Sequence, residues 1–207
     1  MVIHTPREFT TKKEDPEMST LSSNTDTTAL QQLLVRVLQR DALPTLTFTD
    51  PWGTAVAVGE KKIETRSWSA PRKYWYDPVA IHISGTLPLE AKMLCDESPF
   101  HEMLRGAGYS WDVRERFMWK LPLRQIIAIT WLDTVERITA GFQVDQKERL
   151  FGNYMPGRYA WRFGAVYRLK QPVFAVGRLG IWQWTPPDSL WDEMQTSLDA
   201  LRKGVQE

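Results

Sequence analysis

The chain has 207 residues, 43% hydrophobic and 25% charged, ten of them tryptophan, with a formal net charge of +1: the composition of one soluble globular domain large enough for a real core. A single cysteine, Cys95, excludes an intrachain disulfide, no apolar run reaches the length of a bilayer span, and His4, His82 and His101 lack metal-site spacing, so the sequence predicts a cytoplasmic, non-membrane protein without metal or cofactor. The near-neutral total hides an asymmetry: residues 101–180 carry 13 basic and 7 acidic side chains, a balance of +6 that suits either a phosphate-attracting surface or a solvated arginine face.

Residues 1–28 are polar, contain Pro6 and Pro16 and show no apolar period, so they are predicted to form a disordered arm. Over 29–43, Leu30, Leu33, Leu34, Val37 and Leu38 follow helical spacing and Pro44 closes the segment. Such an amphipathic helix needs a partner surface, either the domain itself or a second copy of the chain in a homodimer. Residues 44–186 read as the domain proper, and 187–207 as a C-terminal helix starting near Pro187.

Within the domain, "TLTFTDPWGTAVAVGEKKIETRSW" (45–68) reads as strand, short helix and strand. Asp50-Pro51 has the form of a helix start, and Gly59 suits the left-handed residue that ends one. Residues 79–84 form a further strand. Residues 88–118 read as broken helix, with Arg114 and Arg116 on an outer helix, and a long strand follows Pro122. "RYAWRFGAVYRL", "PVFAV" and "GIWQW" are predicted as three short aromatic strands. The sum is an α+β fold: a small β-barrel of mixed and antiparallel strands decorated by helices, with one helix at each end of the chain.

The chemistry concentrates in "GEKKIETRSW" (59–68). Strand alternation puts Lys62, Glu64, Arg66 and Trp68 on one face, and Gly59 can turn Lys61 toward the same cleft. A bland alternative is that Glu64 pairs with Arg66 or Lys62 at the barrel mouth, but exposed pairs contribute only about 0–1 kcal/mol, a poor reason to gather four charges. A nucleotide fits better. Arginine offers a planar fork to phosphate or a base edge, lysine a point charge, and glutamate an acceptor for an exocyclic amine. Trp52, Trp68 and Tyr154 are candidate stacking surfaces, Arg158 is a candidate phosphate partner, and Trp131, Trp161 and Trp182 are assigned to the core.

These residues resemble the ASCH domain family of the PUA-like superfamily. Its Pro-Trp and Gly-x-Lys-x-x-Glu-x-Arg motifs match Pro51, Trp52, Gly59, Lys61, Glu64 and Arg66. Its Ile-His segment matches Ile81 and His82. The later blocks match Gly152, Tyr154, Gly157, Arg158, Tyr159 and Trp161, then Gly177, Gly180, Ile181 and Trp182. The match spans roughly 44–186. Asp50 stands where many relatives carry Gln. The resemblance implies a PUA-like fold that binds RNA or a single, modified or unmodified, nucleoside through Trp52, Lys61, Glu64, Arg66, Trp68, Tyr154 and Arg158. The alternative is a hydrolase. Acetylcytidine amidohydrolases of similar motif use the lysine, a threonine three residues on and a more distant glutamate. Here Lys61 matches, but Glu64 replaces the threonine, and Thr65 points to the opposite strand face. In a ribonuclease, Lys61 and Glu64 would be general acid and base.

Overall fold

The computed structural model describes residues 16–112 and 118–204. The predicted arm up to residue 15 lies outside them, as do Arg114 and Arg116. In chain order the elements are α1 (Pro16–Val37), β1 (Leu43–Phe48), α2 (Trp52–Ala57), β2 (Ile63–Arg66), a 3-10 turn (Arg72–Tyr74), β3 (Asp77–Ile83), α3 (Leu89–Cys95), α4 (Phe100–Gly106), β4 (Trp111–Asp112), β5 (Met118–Trp119), β6 (Gln125–Arg137), α5 (Gln146–Arg149), β7 (Tyr159–Phe174), β8 (Ile181–Trp184) and α6 (Asp188–Gly204). The fold is α+β. Among the described residues six strands form one sheet in the order β2-β7-β6-β3-β1-β8, and β4 pairs with β5 as a separate hairpin. β1 and β3 run parallel and every other pair is antiparallel.

The long strands β6 and β7 carry the curvature. Their register shifts between Ile126 and Ala128, between Thr130 and Leu132, and between Leu132 and Thr134, and each irregularity adds bend and twist. Tyr159, at the start of β7, pairs with Arg137 on one side and Arg66 on the other, which sets β2 at the sheet edge.

Three local expectations differ from the structure. α1 begins at Pro16 rather than Ala29 and ends at Val37. Proline fits the first turn of a helix, and extending a helix already nucleated over the packed residues adds one bond per residue fixed. The segments predicted as separate strands around Gln171 are one continuous β7. Pro172 lies between Arg168, which faces Ala128, and Val173, which faces Ile126, so it falls in a bulge where no ladder donor is required. Beyond α4 the chain forms the β4–β5 hairpin instead of more helix.

Helical spacing on α1 does what it predicts. Leu33, Leu34 and Val37 are fully buried against Leu190, Met194 and Leu198 of α6 and against Ala80, Ile126 and Ile129 on one face of the sheet. The apolar stripe is covered by the chain's own α6 and sheet, so a homodimer through this helix would have to use its other face. Across the sheet, α2 packs Val56 and Ala57 against Phe48, Ile81, Ile83 and Trp161. No helix among the described residues is long and apolar enough to cross a membrane.

The approach of α2 to the sheet leaves no room at Gly53, where an added Cβ would lie 2.3 Å from Ile83 Cδ1 and 2.8 Å from Phe48 Cβ. Gly53→Ala is therefore expected to overpack the core and lower the unfolding free energy by about 1–3 kcal/mol. In urea, followed by tryptophan fluorescence, this appears as a lower midpoint at unchanged slope; an unchanged midpoint would show that the helix can lift without cost.

Candidate functional site

The site begins where β1 ends. Asp50, fully buried, accepts hydrogen bonds from Thr54 N (2.9 Å) and Thr54 Oγ1 (3.1 Å) and so fixes the first turn of α2. Burial pushes its carboxyl up to about 6. α2 then presents Trp52, whose ring meets Phe100 edge-on at 6.0 Å. Gly59, at φ +77, turns the chain back, and Lys61 N returns to Ala55 O at 3.0 Å.

Lys61 is the main electrostatic feature, because its side chain is only 1% exposed. Its ammonium donates to Ile63 O, lies 3.7 Å from Glu64 Oε2 and 3.9 Å from Glu148 Oε1, and sits 5.8 Å from the Tyr154 ring centre. Burial lowers its pKa, and the two carboxylates oppose that shift. Gly152 leaves the ammonium its space, since a Cβ there would lie 3.0 Å from Nζ.

Glu148 is the functional residue that sequence reasoning missed. It is 4% exposed, and α5 holds it through the cap bond from Glu148 N to Asp145 Oδ1 (2.8 Å). Its carboxylate accepts from Lys62 N (2.7 Å), Ile63 N (3.1 Å) and Tyr154 Oη (2.6 Å). The carboxylate thus stands in for a missing neighbour strand at the start of β2. One local signal marks it: an acid three residues after a capping residue. Burial and this hydrogen bond, in which the phenol is the donor, raise the Tyr154 pKa.

Glu64 and Arg66 share the outward face of β2. Arg66 Nε approaches Glu64 Oε1 at 2.9 Å, but off the N–H axis, so the contact is an ion pair without a hydrogen bond. Arg66 Nη2 donates to Thr47 O at 2.9 Å and the guanidinium lies over the Phe48 ring at 5.3 Å. Arg158 Nη2 donates to Thr65 O at 2.7 Å, and its Nε has no acceptor among the described residues.

These side chains open onto a cleft of about 450 Å³, lined among others by Trp52, Lys61, Glu64, Arg66, Phe100 and Arg158. Five of the seven residues expected at the site therefore meet in one concavity. Tyr154 stands behind the cleft, its hydroxyl on Glu148. Trp68 is elsewhere: β2 ends at Arg66, the chain bends, and the Trp68 ring packs edge-on against Trp161 at 4.7 Å. Alternation stops with the strand, which is why the expectation for Trp68 fails. Lys62 points to solvent and only its backbone serves the site.

Cys95 is fully buried, donates to Ala91 O at 3.2 Å, and its thiol is pushed up to about 12 by burial, so it is a packing residue. Among the described residues no group of three or more His, Cys, Asp or Glu side chains is placed to hold a metal ion.

Comparison with known proteins gives one structural likeness to report. A crystal structure described as ASCH from Zymomonas mobilis is similar at 10% sequence identity and a TM-score of 0.37, over 75% of this chain and 94% of the other. No family model matches the chain, and no match was found among curated proteins.

Asp50 gives the site a pH signature. Its pKa rises on folding from 3.8 to about 6, so the native state binds the proton more tightly than the unfolded chain. Ionised Asp50 therefore lowers stability above pH 6, and that penalty disappears as pH falls toward 4. Relative to Asp50→Asn, the wild-type chain is expected to gain about 2–3 kcal/mol between pH 7 and pH 4 in urea unfolding. A constant difference between the two proteins across that window would exclude the raised pKa.

Proposed function

We propose that this chain binds RNA, or a single modified or unmodified nucleoside, by seating one nucleotide in the cleft beside β2. The observation that carries this reading is the charge arrangement. A fully buried lysine and two arginines with unspent Nε donors face one cleft whose carboxylates are already tied to them. Burying charge costs several kcal/mol per ion, which stability alone does not justify. A volume of about 450 Å³ lies in the range of small-molecule sites and suits one nucleotide rather than a duplex. Arg66 and Arg158 supply forks for phosphate or a base edge, Glu64 an acceptor for an exocyclic amine, and Trp52 an aromatic rim.

A second reading, hydrolysis of RNA or of an acylated nucleoside, is favoured by Glu148. It completes a lysine–glutamate pair at 3.9 Å, and burial lowers the Lys61 pKa, the direction a lysine base requires. Against the amidohydrolase form, β2 carries Glu64 where a hydroxyl would be required.

Arg66→Ala is expected to weaken binding of single-stranded RNA and of nucleosides by about 1.5–3 kcal/mol, the loss of a hydrogen bond to a charged group. Calorimetric titration of wild-type and variant proteins against nucleosides, acetylated cytidine included, and a mixed RNA tests this. Undetectable wild-type binding throughout, with Arg66→Ala merely lowering the melting temperature, would overturn the binding reading. Mass spectrometry of the same mixtures decides between the two functions: cleaved product made by the wild type and abolished in a Lys61→Met protein that still unfolds cooperatively in urea would establish the hydrolase.

A further inference from the structure

A second cleft of about 540 Å³ adjoins the first, lined by Thr47, His82, Ser84, Gly85, Arg124 and Arg178 together with the loop after β7. Thr47 lines both clefts. Its carbonyl oxygen accepts from Arg66 Nη2 at the first. Its hydroxyl accepts from Trp182 Nε1 at 3.2 Å and donates to Arg178 O at 3.2 Å, and it lies 3.2 Å from His82 Nδ1. One threonine thus holds Arg66 on one side and the Arg178 loop on the other.

The two clefts differ in electrostatics. In the first, Glu64 lies beside Lys61 and Arg66 and Glu148 beside Lys61, while Arg158 donates to the Thr65 carbonyl. The lining of the second contains no carboxylate, and neither Arg124 nor Arg178 meets an acid or a hydrogen-bond acceptor through its side chain among the described residues; both are exposed. Arg124 is also held at φ +58, a left-handed conformation uncommon outside glycine. It is kept there by Arg124 N to Ile83 O (3.0 Å) and Ala175 N to Arg124 O (2.9 Å). Its side chain lies across Gly85, where a Cβ would come within 2.6 Å of Nε. On the opposite wall Gly177 backs onto the His82 ring, which a Cβ would meet at 2.4 Å. The backbone therefore gives up ordinary geometry to set unpaired guanidinium groups beside a cleft that continues the nucleotide site.

We infer that this cleft is a backbone subsite: a single-stranded nucleic acid whose one nucleotide occupies the first cleft runs past Thr47 and rests its next phosphates against Arg124 and Arg178. The inference rests on the nucleotide-binding reading above and extends it from a nucleoside site to a strand track. The first cleft then supplies hydrogen-bond recognition, and the second supplies charge.

The test uses the full chain and the double variant Arg124→Gln/Arg178→Gln, which removes both charges while keeping the side-chain stems. Probes are mixed-sequence single-stranded RNA and DNA of about 10 nucleotides, within the span small domains cover, and vesicles of phosphatidylserine and phosphatidylcholine. Fluorescence anisotropy from 50 to 200 mM salt is expected to show at least one of the two oligonucleotides bound about tenfold more weakly by the double variant at 100 mM. The slope of log affinity against log salt should be smaller by about 1.4, as for two lost contacts to a single strand. Arg178→Ala alone should give about half of that slope change. Equal losses for RNA and DNA support a contact to phosphate alone, and a loss confined to RNA supports one that includes the sugar. Unchanged oligonucleotide affinity and slope in the double variant overturn the subsite and leave the nucleotide cleft standing; a wild type that binds neither oligonucleotide also overturns the subsite, and the nucleotide cleft then stands or falls with the nucleoside titration. Vesicle binding lost in the double variant with oligonucleotide binding intact overturns the subsite in favour of an anionic lipid surface, which the almost fully exposed Leu179 at the loop tip would also suit.

Discussion

An ammonium group withdrawn from water must be answered by the protein, and much of the architecture around the site is that answer for Lys61. Its stem is buried under α2 and its charge meets Ile63 O, Glu64, Glu148 and the face of Tyr154. These partners come from three elements, so the lysine ties β2, α5 and the loop before β7 together. Glu148 extends the arrangement by taking the first backbone donors of β2, which at a sheet edge would otherwise need water. Removing either charge would strand the other, and breaking such a buried pair typically costs about 3–5 kcal/mol. On the proposed function, structure and ligand recognition would be coupled most tightly here.

How much of this was legible in sequence depended on distance along the chain. Gly59, the strand from Ile63 to Arg66 and the helix begun at Asp50-Pro51 are local, and composition at each position forces the outcome. A left-handed turn asks for glycine, and mixed charge on alternate strand positions asks for an open face. Lys61 could be placed at the cleft for the same reason. Its depth could not, because burial depends on what covers it, and the covering groups come from residues 148–154. Glu148 illustrates the limit: local sequence shows a capped helical turn, while its role depends on β2 lying alongside. Trp68 illustrates the opposite error, since alternation was carried two residues beyond the point where the strand bends away. The merging of two predicted strands into β7 has the same origin, because proline breaks a strand only where the partner needs its donor, and the bulge opposite Pro172 removes that need.

The sheet also divides labour between its faces. On one side α1 and α6 form a dry layer with Leu33, Leu34, Met194 and Leu198, and no residue of the candidate site enters it. On the other, α2, α3 and α4 pack less extensively and leave the cleft between them and β2. Packing on the α1–α6 face can thus hold the fold together while the second face keeps an opening lined by charge. The semi-exposed Arg66 can lose its guanidinium at little cost to the core, whereas Lys61 cannot.

Charge follows a similar division across Thr47. In the cleft beside β2, Lys61 and Arg66 sit against carboxylates and Arg158 donates to a carbonyl, so much of its charge is engaged locally and its contribution is directional. Such a site discriminates among ligands by which hydrogen bonds they complete, because a mismatched polar group leaves a buried partner unsatisfied. The neighbouring cleft has the converse character, with unpaired guanidinium groups, no acid in the lining and exposure to solvent. A surface of that kind attracts any phosphate and says little about its sequence. On the proposed reading, two clefts of unlike electrostatics sharing one threonine would set affinity and selectivity by different residues. Each could change during evolution without disturbing the other, provided that Thr47 keeps its hydroxyl on the loop and its carbonyl on Arg66.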